Sequence, residues 1–176
     1  MNKHILILTF FLLVIINIHA QNTEPETETK FKHSIGAGAG FTTGYGLSYR
    51  YIPGKFGGQI NFAPYHNKET DRYSIGLTFI YQLIESKITT LYLYQGNHYY
   101  YTSEIMDVPD PSPIKGNDPI SYKKRVTESY VNNGLGIGIE FIIAKRIGLN
   151  LMAGYAFYDN FKQVNFTGEA GLYFKF

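Results

Sequence analysis

The sequence predicts an all-β fold in which eight antiparallel strands run up and down and close into a barrel. The first reason is periodicity: from Phe31 onward, apolar residues alternate with small or polar ones at a period of two. The second is composition, because aromatic residues make up 16% of the chain and charged residues only 17%. This profile, with no cysteine, excludes a disordered chain, a coiled coil and a disulfide-stapled module. The net charge of +2 provides no basic field for nucleic acid.

Residues 1–20 have the layout of a secretory signal peptide. Lys3 precedes the apolar run 5–16, and Ala20 supplies a small residue before a cut ahead of Gln21. A membrane anchor is the alternative, but this run is shorter than the about 20 residues that a hydrocarbon core requires. Residues 21–30 are polar and contain Pro25, so they are predicted to form a flexible lead-in.

The eight predicted strands are joined alternately by tight turns and by more polar, mostly longer loops. The strands are predicted at Phe31–Phe41, Tyr45–Ile52, Gly58–Pro64, Tyr73–Leu83, Ile88–Tyr101, Arg125–Ile143, Ile147–Phe157 and Phe166–Phe176. The tight turns lie at 53–57, 85–87 and 145–146, and the loops at 42–44, 66–72, 103–124 and 158–164. An even number of strands places both chain ends on one side of the barrel.

The alternation is clearest in the later strands. The sixth sets Leu135, Ile137, Ile139 and Phe141 against glycines and Glu140, and the eighth sets Ala170, Leu172, Phe174 and Phe176 against polar residues, glycine and Tyr173. The fifth is ambiguous in phase, because Tyr92 and Tyr94 alternate with two leucines.

The distribution of charge predicts which face of the barrel points outward. The strand cores contain few charged residues, and all of them lie on the non-apolar face: Lys32, Arg50, Glu140, Glu169 and Lys175. A soluble, secreted ligand-binding barrel is the alternative fold, but its surface would be about a quarter to a third charged. The apolar face is therefore predicted to contact lipid, with an interfacial girdle of Tyr45, Tyr51, Phe56, Tyr65, Tyr73 and Tyr81.

From Phe31 to Phe176 the chain resembles the small eight-stranded outer-membrane β-barrels of the OmpA/OmpX type. Its most specific element is the alternating end Leu172-x-Phe174-x-Phe176, which in that family looks like the signal read by the barrel-assembly machinery. The resemblance implies a Gram-negative outer membrane, with the chain ends and the lead-in in the periplasm and the longer loops outside. It also implies membrane lipid and the assembly machinery as partners.

The interior of such a barrel is only wide enough for its own side chains, so an open pore is not predicted. Arg50, Glu140, Glu169 and Lys175 are predicted to form an interior charge network, in which each charge offsets the desolvation of another. The alternative is a gate across a narrow path for water or small solutes. The glycines of the run Gly36-Ala-Gly38-Ala-Gly40 recur at a period of two inside a strand, as they do at Gly134, Gly136 and Gly138, so they are predicted to leave room for bulky interior neighbours rather than to bind phosphate.

A lipid-modifying enzyme is the third possibility, because outer-membrane deacylases of this architecture use histidine and serine. His33, His66 and His98 have no serine at the two-residue spacing that places side chains on one face of a strand. No nucleophile–base pair is therefore predicted, and three scattered histidines make a poor metal site. We predict that the protein is not an enzyme and has no cofactor, metal or catalytic residue.

The fifth and sixth strands are longer than the about 9–11 residues that cross a membrane. As in OmpX-like proteins, they are expected to project as a ribbon, joined by a segment too rich in proline for regular structure from Asp107 onward. The predicted function is structural or adhesion-like, through contact with an extracellular protein or surface ligand; a solvated loop without a partner is the alternative. The predicted contact residues are Tyr94, His98, Tyr99, Tyr100, Tyr101, Asp107, Asp110 and Asp118.

Overall fold

The computed structural model describes residues 31–109 and 121–176. The predicted signal peptide, the lead-in, Asp110 and Asp118 lie outside the described residues. The strands are β1 His33–Ala39, β2 Gly46–Tyr51, β3 Phe56–His66, β4 Thr70–Glu85, β5 Thr89–Pro109, β6 Ser121–Ala144, β7 Ile147–Tyr158 and β8 Gln163–Lys175. The described part of the chain contains no helix that is long and apolar enough to cross a membrane.

The eight strands form a closed ring in sequence order. Each strand pairs antiparallel with the next, and the ring closes between β1 and β8, where Ser34 lies opposite Lys175 and Ala39 opposite Ala170. The predicted all-β, up-and-down barrel is therefore confirmed. Every predicted strand is present, and the largest difference from prediction is in the length of β5, followed by β4 and β6.

The prediction of an irregular loop from 103 to 124 is wrong at both of its ends. β5 continues to Pro109 and β6 begins at Ser121, with Ser103 opposite Thr127 and Asp107 opposite Lys123. Asp107 and Pro109 thus belong to a strand. The prolines did not end the ladder earlier because Pro109 is the last residue of its strand, where a missing N–H costs little.

The two faces of the barrel differ in chemistry, as period-two alternation requires. Leu47, Ile60, Leu77, Ile137, Tyr155 and Phe166 are among the outward side chains that remain exposed. The buried inward positions are mostly polar, and they include Ser34, Ser48, Gln59, Asn61, Thr78, Asn150 and Thr167. The structure also settles the phase of β5, because Tyr92 and Tyr94 are buried while Leu93 is exposed.

The two ends of the barrel are unlike. At the end where β1 begins and β8 ends, which we call the terminal end, β3 is joined to β2, β4 to β5 and β6 to β7 by short connections. At the opposite loop end, β4, β5 and β6 extend beyond the other strands. β2 pairs with β3 only as far as Phe62, and β7 pairs with β6 only as far as Asn133. The remainder of β3–β6 forms an open, twisted extension that we call the projecting sheet.

Candidate functional site

The terminal half of the barrel interior contains a cluster of ion pairs. Arg50 Nη1 lies 3.6 Å from Glu140 Oε1, and Lys175 Nζ donates to Glu140 Oε2 at 3.0 Å. The guanidinium of Arg50 also lies 4.0 Å from the centroid of the Tyr173 ring. Three of the four predicted network residues therefore meet. Arg50 is only 1% exposed, so the pairing offsets a desolvation cost that an isolated charge would carry in full.

Glu169, the fourth predicted network residue, lies apart from this cluster and has a different partner. Its Oε1 accepts a hydrogen bond from the backbone N–H of Thr42 at 3.2 Å and another from the hydroxyl of Thr42. No ion pair joins Glu169 to another of the described residues. The carboxylate thus binds the connection between β1 and β2 instead of a basic side chain.

That connection, residues 40–45, folds into the barrel at the loop end, and we call it the plug loop. Thr42 and Thr43 are 0% and 2% exposed. The Phe41 carbonyl accepts hydrogen bonds from His98 Nδ1 at 2.9 Å and from Asn132 Nδ2 at 3.1 Å, and the Gly44 carbonyl accepts one from Asn61 Nδ2 at 2.9 Å. Polar side chains from the barrel wall thereby satisfy a buried, irregular backbone.

Glycines on the surrounding strands provide the space that the plug loop occupies. A Cβ at Gly76 would overlap the carbonyl oxygen of Thr43, and one at Gly134 would meet the side chain of Thr42. Gly44 itself has a φ of 77°, a left-handed backbone that glycine adopts most easily. The prediction that inner-face glycines make room for bulky side chains is correct at Gly138, which the Tyr92 ring covers. At Gly76 the neighbouring group is backbone instead.

A continuous line of hydrogen bonds joins the ion-pair cluster to the plug loop. Arg50 Nη2 donates to Gln59 Oε1 at 2.6 Å, and Gln59 Nε2 donates to Asn61 Oδ1 at 3.1 Å. Asn61 in turn holds the carbonyl of Gly44. Between the two regions lies a small apolar core of Ile80, Tyr92, Tyr94 and Met152. The interior is thus filled from the terminal end to the plug loop.

Two of the predicted surface-contact residues are interior residues. Tyr94 is 1% exposed and His98 is 3% exposed, because even-numbered positions of β5 point inward. Their assignment to a contact surface is therefore wrong. Tyr99 is exposed and Tyr100 and Tyr101 are half-buried, whereas Asp107 is exposed.

The structure contains a histidine–serine contact that the two-residue spacing did not predict. Ser74 Oγ lies 2.9 Å from His98 Nε2. The sequence argument considered spacing along one strand, whereas this pair joins β4 to β5. Ser74 is 0% exposed and its Oγ accepts the backbone N–H of Tyr45 at 3.3 Å. The pair therefore lies beneath the plug loop, where it helps to position Tyr45.

The projecting sheet is held by one polar cluster on each face. On the face that continues the barrel exterior, Arg125 Nη1 donates to Asp71 Oδ2 at 3.1 Å and to Ser103 Oγ at 3.2 Å. The hydrogen bond from His66 is the main reason that the pKa of Asp71 lies below its ordinary value, and Arg125 lowers it further. These contacts help to explain why β5 and β6 extend beyond their predicted bounds.

On the inner face, Glu104 Oε1 accepts hydrogen bonds from Arg72 Nη2 and from the Thr102 hydroxyl. These donors, Arg72 first, lower the pKa of Glu104 below its ordinary value. Tyr100 and Tyr130 stack beside this pair with ring centroids 4.9 Å apart. The inner face thus combines a neutralised ion pair with aromatic rings.

Below this inner face, at the mouth of the barrel, lies a concavity of about 290 Å³ lined by Tyr45, Ala63, Tyr65, Thr70 and Arg72. The prediction that Tyr45 and Tyr65 belong to an interfacial girdle is therefore wrong. Tyr65 shares its face of β3 with the buried Asn61, and Tyr45 is the last residue of the plug loop, which folds inward. Tyr51, Phe56 and Tyr73 do lie exposed on outward positions.

Sequence reasoning missed the plug loop and the concavity above it. The only available signal was the set of inner-face glycines on neighbouring strands, with Gly96 directly opposite Gly134. Among the described residues no group of three or more His, Cys, Asp or Glu side chains is arranged to hold a metal ion.

The fold and its two faces define an eight-stranded β-barrel with an apolar exterior and a polar interior. No protein-family model and no curated protein sequence matches this chain. Its fold is similar to the N-terminal β-barrel domain of Pseudomonas aeruginosa OprF, at 12% identity, 82% coverage of this chain, 95% of that chain and a TM-score of 0.48.

Two further solved structures are similar to the chain, each at 16% identity and with 82% of this chain and 93% of that chain covered. They are Neisserial surface protein A, with a TM-score of 0.46, and Ail, the attachment invasion locus protein of Yersinia pestis, with a TM-score of 0.44. All three are eight-stranded outer-membrane β-barrels of the OmpA/OmpX-like type. At these identities the likeness extends to the fold alone.

Proposed function

We propose that this protein is an integral outer-membrane barrel with a structural or surface-contact role, and that the projecting sheet is its contact region. The observation that carries the proposal is the outward face of the barrel. From the terminal-end turns to Tyr73 on β4 and Tyr101 on β5, the outward positions of the described strands hold no Asp, Glu, Lys or Arg. Such a face is suited to acyl chains.

The height of this apolar belt supports a membrane-spanning position. On β4 it runs from Tyr73 to Leu83, which at 3.3 Å per residue and a tilt of about 40° corresponds to about 25 Å along the membrane normal. Immediately beyond Tyr73 and Tyr101, charged residues occupy the same face, beginning with Asp71 and Arg125. The change from apolar to charged side chains marks the edge at which the barrel would leave the lipid.

Two amide side chains on β5 face outward within the belt. Gln95 Nε2 donates to Asn97 Oδ1 at 2.9 Å, and Asn97 Nδ2 donates to Gln95 Oε1 at 3.0 Å. Asn97 Nδ2 also approaches the carbonyl of Leu77 at 3.4 Å. Because the amides bond one another, they meet the requirement that polar groups in lipid be satisfied internally.

The filled interior argues against the alternative of a channel. Arg50, Tyr92 and Tyr173 are each 1% exposed at the terminal half, and Thr42 is 0% exposed in the plug loop. A solute would have to displace both layers. The Ser74–His98 pair likewise gives little support to an enzyme, because Ser74 is inaccessible and already accepts the N–H of Tyr45. We therefore propose a non-enzymatic protein exported to the outer membrane and folded there by the assembly machinery.

The membrane assignment is tested by placing a charge on the belt. Leu151 is exposed near the middle of β7, and an arginine at the bilayer midplane costs about 2–4 kcal/mol. We expect L151R to reduce the free energy of unfolding in phosphatidylcholine vesicles by that amount. The matched control is Y122R, because Tyr122 is equally exposed but lies on the projecting sheet. Equal stability of L151R and the wild type would contradict the assignment.

The contact role is tested by removing the β5–β6 part of the projecting sheet. Tyr101 lies opposite Ser129, so residues 102–128 can be replaced by a two-residue Asn-Gly hairpin turn. We expect the shortened barrel to fold but bacteria that display it to adhere less to epithelial cells. A variant with a shortened 159–162 turn serves as the control. Equal adherence of both variants would contradict a contact role for the sheet.

A further inference from the structure

The concavity at the barrel mouth has no role in the interior network or in the pairing of the projecting sheet. We call it the mouth site and define it by its lining residues Tyr45, Ala63, Tyr65, Thr70 and Arg72. Its volume of about 290 Å³ lies at the lower end of the range for small-molecule sites. We propose that the mouth site binds a neutral pyranose sugar, which deepens the proposed surface-contact function and rests on it.

The aromatic groups of the site provide surfaces for the apolar face of a sugar ring. Tyr45 and Tyr65 line the concavity, and Tyr65 is 52% exposed. The ring of Tyr100 lies 6.5 Å from that of Tyr45, and it stacks on Tyr130. A tyrosine combines a rigid apolar body with a polar hydroxyl, so it can contact the C–H groups of a pyranose and bond to a hydroxyl at the rim.

The polar groups of the mouth site are suited to the adjacent hydroxyls of a sugar, each of which can donate and accept a hydrogen bond. Arg72 lines the site, and only its Nη2 is bonded to Glu104. Both hydrogen bonds to Glu104 end on Oε1, so Oε2 keeps its acceptor capacity. Within the concavity, the Arg72 guanidinium and the hydroxyls of Tyr45, Tyr65 and Thr70 provide donors and acceptors to which neighbouring sugar hydroxyls can bond.

The balance of charge favours a neutral ligand over an anion. Arg72 and Glu104 form an ion pair, so no uncompensated cation faces the concavity. A sulfate or phosphate group would have to compete with the Glu104 carboxylate for the guanidinium. A neutral sugar adds hydrogen bonds to a pair that already exists, and it carries no charge of its own that would have to be desolvated.

The base of the site is held in place before any ligand arrives. The N–H of Tyr45 donates to Ser74 Oγ, and its ring lies 6.0 Å from that of His98. Ser74 and His98 lie beneath the plug loop, and the loop's Phe41 and Gly44 carbonyls accept hydrogen bonds from the barrel wall. A preorganised base lowers the entropy that binding would otherwise cost.

Saturation-transfer NMR on the full barrel in phosphatidylcholine nanodiscs tests the proposal without sugar-headed detergents. The neutral probes are lactose, cellobiose and the dephosphorylated core oligosaccharide of lipopolysaccharide, and the anionic probe is a sulfated disaccharide. We expect at least one neutral probe to bind, and Y65A to weaken it by about tenfold, as for the loss of one aromatic contact. The matched control Y122A, an exposed tyrosine outside the site, is expected to bind like the wild type.

Glu104→Gln is a second variant, which keeps the size of the side chain but removes the charge that pairs with Arg72. If Y65A does not fold, weaker binding of the neutral probe by Glu104→Gln supports the proposal, and binding equal to that of the wild type overturns it. Binding of lactose or cellobiose would support a sugar on another surface, and binding of the core oligosaccharide alone would support one from the same membrane. Absence of neutral binding, binding of the sulfated probe alone, or equal binding by Y65A and Y122A would overturn the proposal. None of these results would alter the outcome of the L151R or hairpin experiments, so the two proposals can fail separately.

Discussion

The two halves of the barrel interior are filled in different ways. In the terminal half, long side chains fill the space, and Arg50, Glu140 and Lys175 neutralise one another. In the loop half, glycines on neighbouring strands leave space in the wall, and a piece of backbone, the plug loop, fills that space instead. Gln59 and Asn61 bond the two halves together.

This difference shows that a narrow barrel can be closed either by charge pairing or by close backbone packing. The terminal half depends on the identity of a few charged side chains, since each buried charge needs its partner. The loop half depends on the absence of side chains at glycine positions and on donors that satisfy carbonyl oxygens. Substitutions should therefore affect the two halves through different mechanisms.

The largest effect is expected for Glu140→Ala, which leaves Arg50 and Lys175 facing each other without an anion. Removing one partner of a buried pair costs about 3–5 kcal/mol. Urea unfolding in lipid vesicles, followed by tyrosine fluorescence because the chain has no tryptophan, measures the change. The control Glu128→Ala removes an exposed carboxylate from the same strand. A similar loss in both variants would show that burial is not the cause.

A smaller effect is expected for Thr42→Val, which keeps the shape of the side chain but removes its hydroxyl. The buried Glu169 then retains only the backbone N–H of Thr42, and losing a hydrogen bond to a charged group costs about 1.5–3 kcal/mol. Hydrogen exchange should also accelerate in residues 40–45. The control is Thr43→Val in the same loop. If both variants exchange at the wild-type rate, Glu169 does not hold the plug loop.

Gly76→Ala tests the loop half through packing alone. The added methyl group would overlap the Thr43 carbonyl, and overpacking of this kind costs about 1–3 kcal/mol. Gly168→Ala is the matched control, because a Cβ at Gly168 meets nothing within 4 Å. Equal stability of the two alanine variants in urea would contradict the idea that the plug loop packs directly against Gly76.

The smallest effect is expected in the projecting sheet, outside both halves. Asp71 and Glu104 have pKa values below their ordinary ones, so their contacts stabilise the sheet fully above the ordinary carboxyl pKa of about 4. That stability is lost as the pH falls through the lowered values. Amide exchange in β5 and β6 beyond the barrel should therefore accelerate at acidic pH, after correction for intrinsic rates. Asp71→Asn combined with Glu104→Gln should abolish this pH dependence.

The sequence by itself determined the eight strands and, with the exception of β5, which of their faces is apolar. Alternation in segments such as Phe166–Phe176 needs only a period of two and a separation of apolar from polar side chains, and both are local properties of the chain. The same pattern placed Arg50, Glu140, Glu169 and Lys175 in the interior. It also indicated that β5 and β6 are longer than a membrane requires.

Only the tertiary structure decided which interior residues meet. Ser74 and His98 lie on different strands, and Glu169 binds Thr42, which is 127 residues away in the chain. Such contacts depend on strand register and on the path of a six-residue connection, and neither has a period that can be read from one sequence. The closed barrel was therefore needed to identify the plug loop, the pairing of Arg72 with Glu104, and the concavity between Tyr45 and Tyr65.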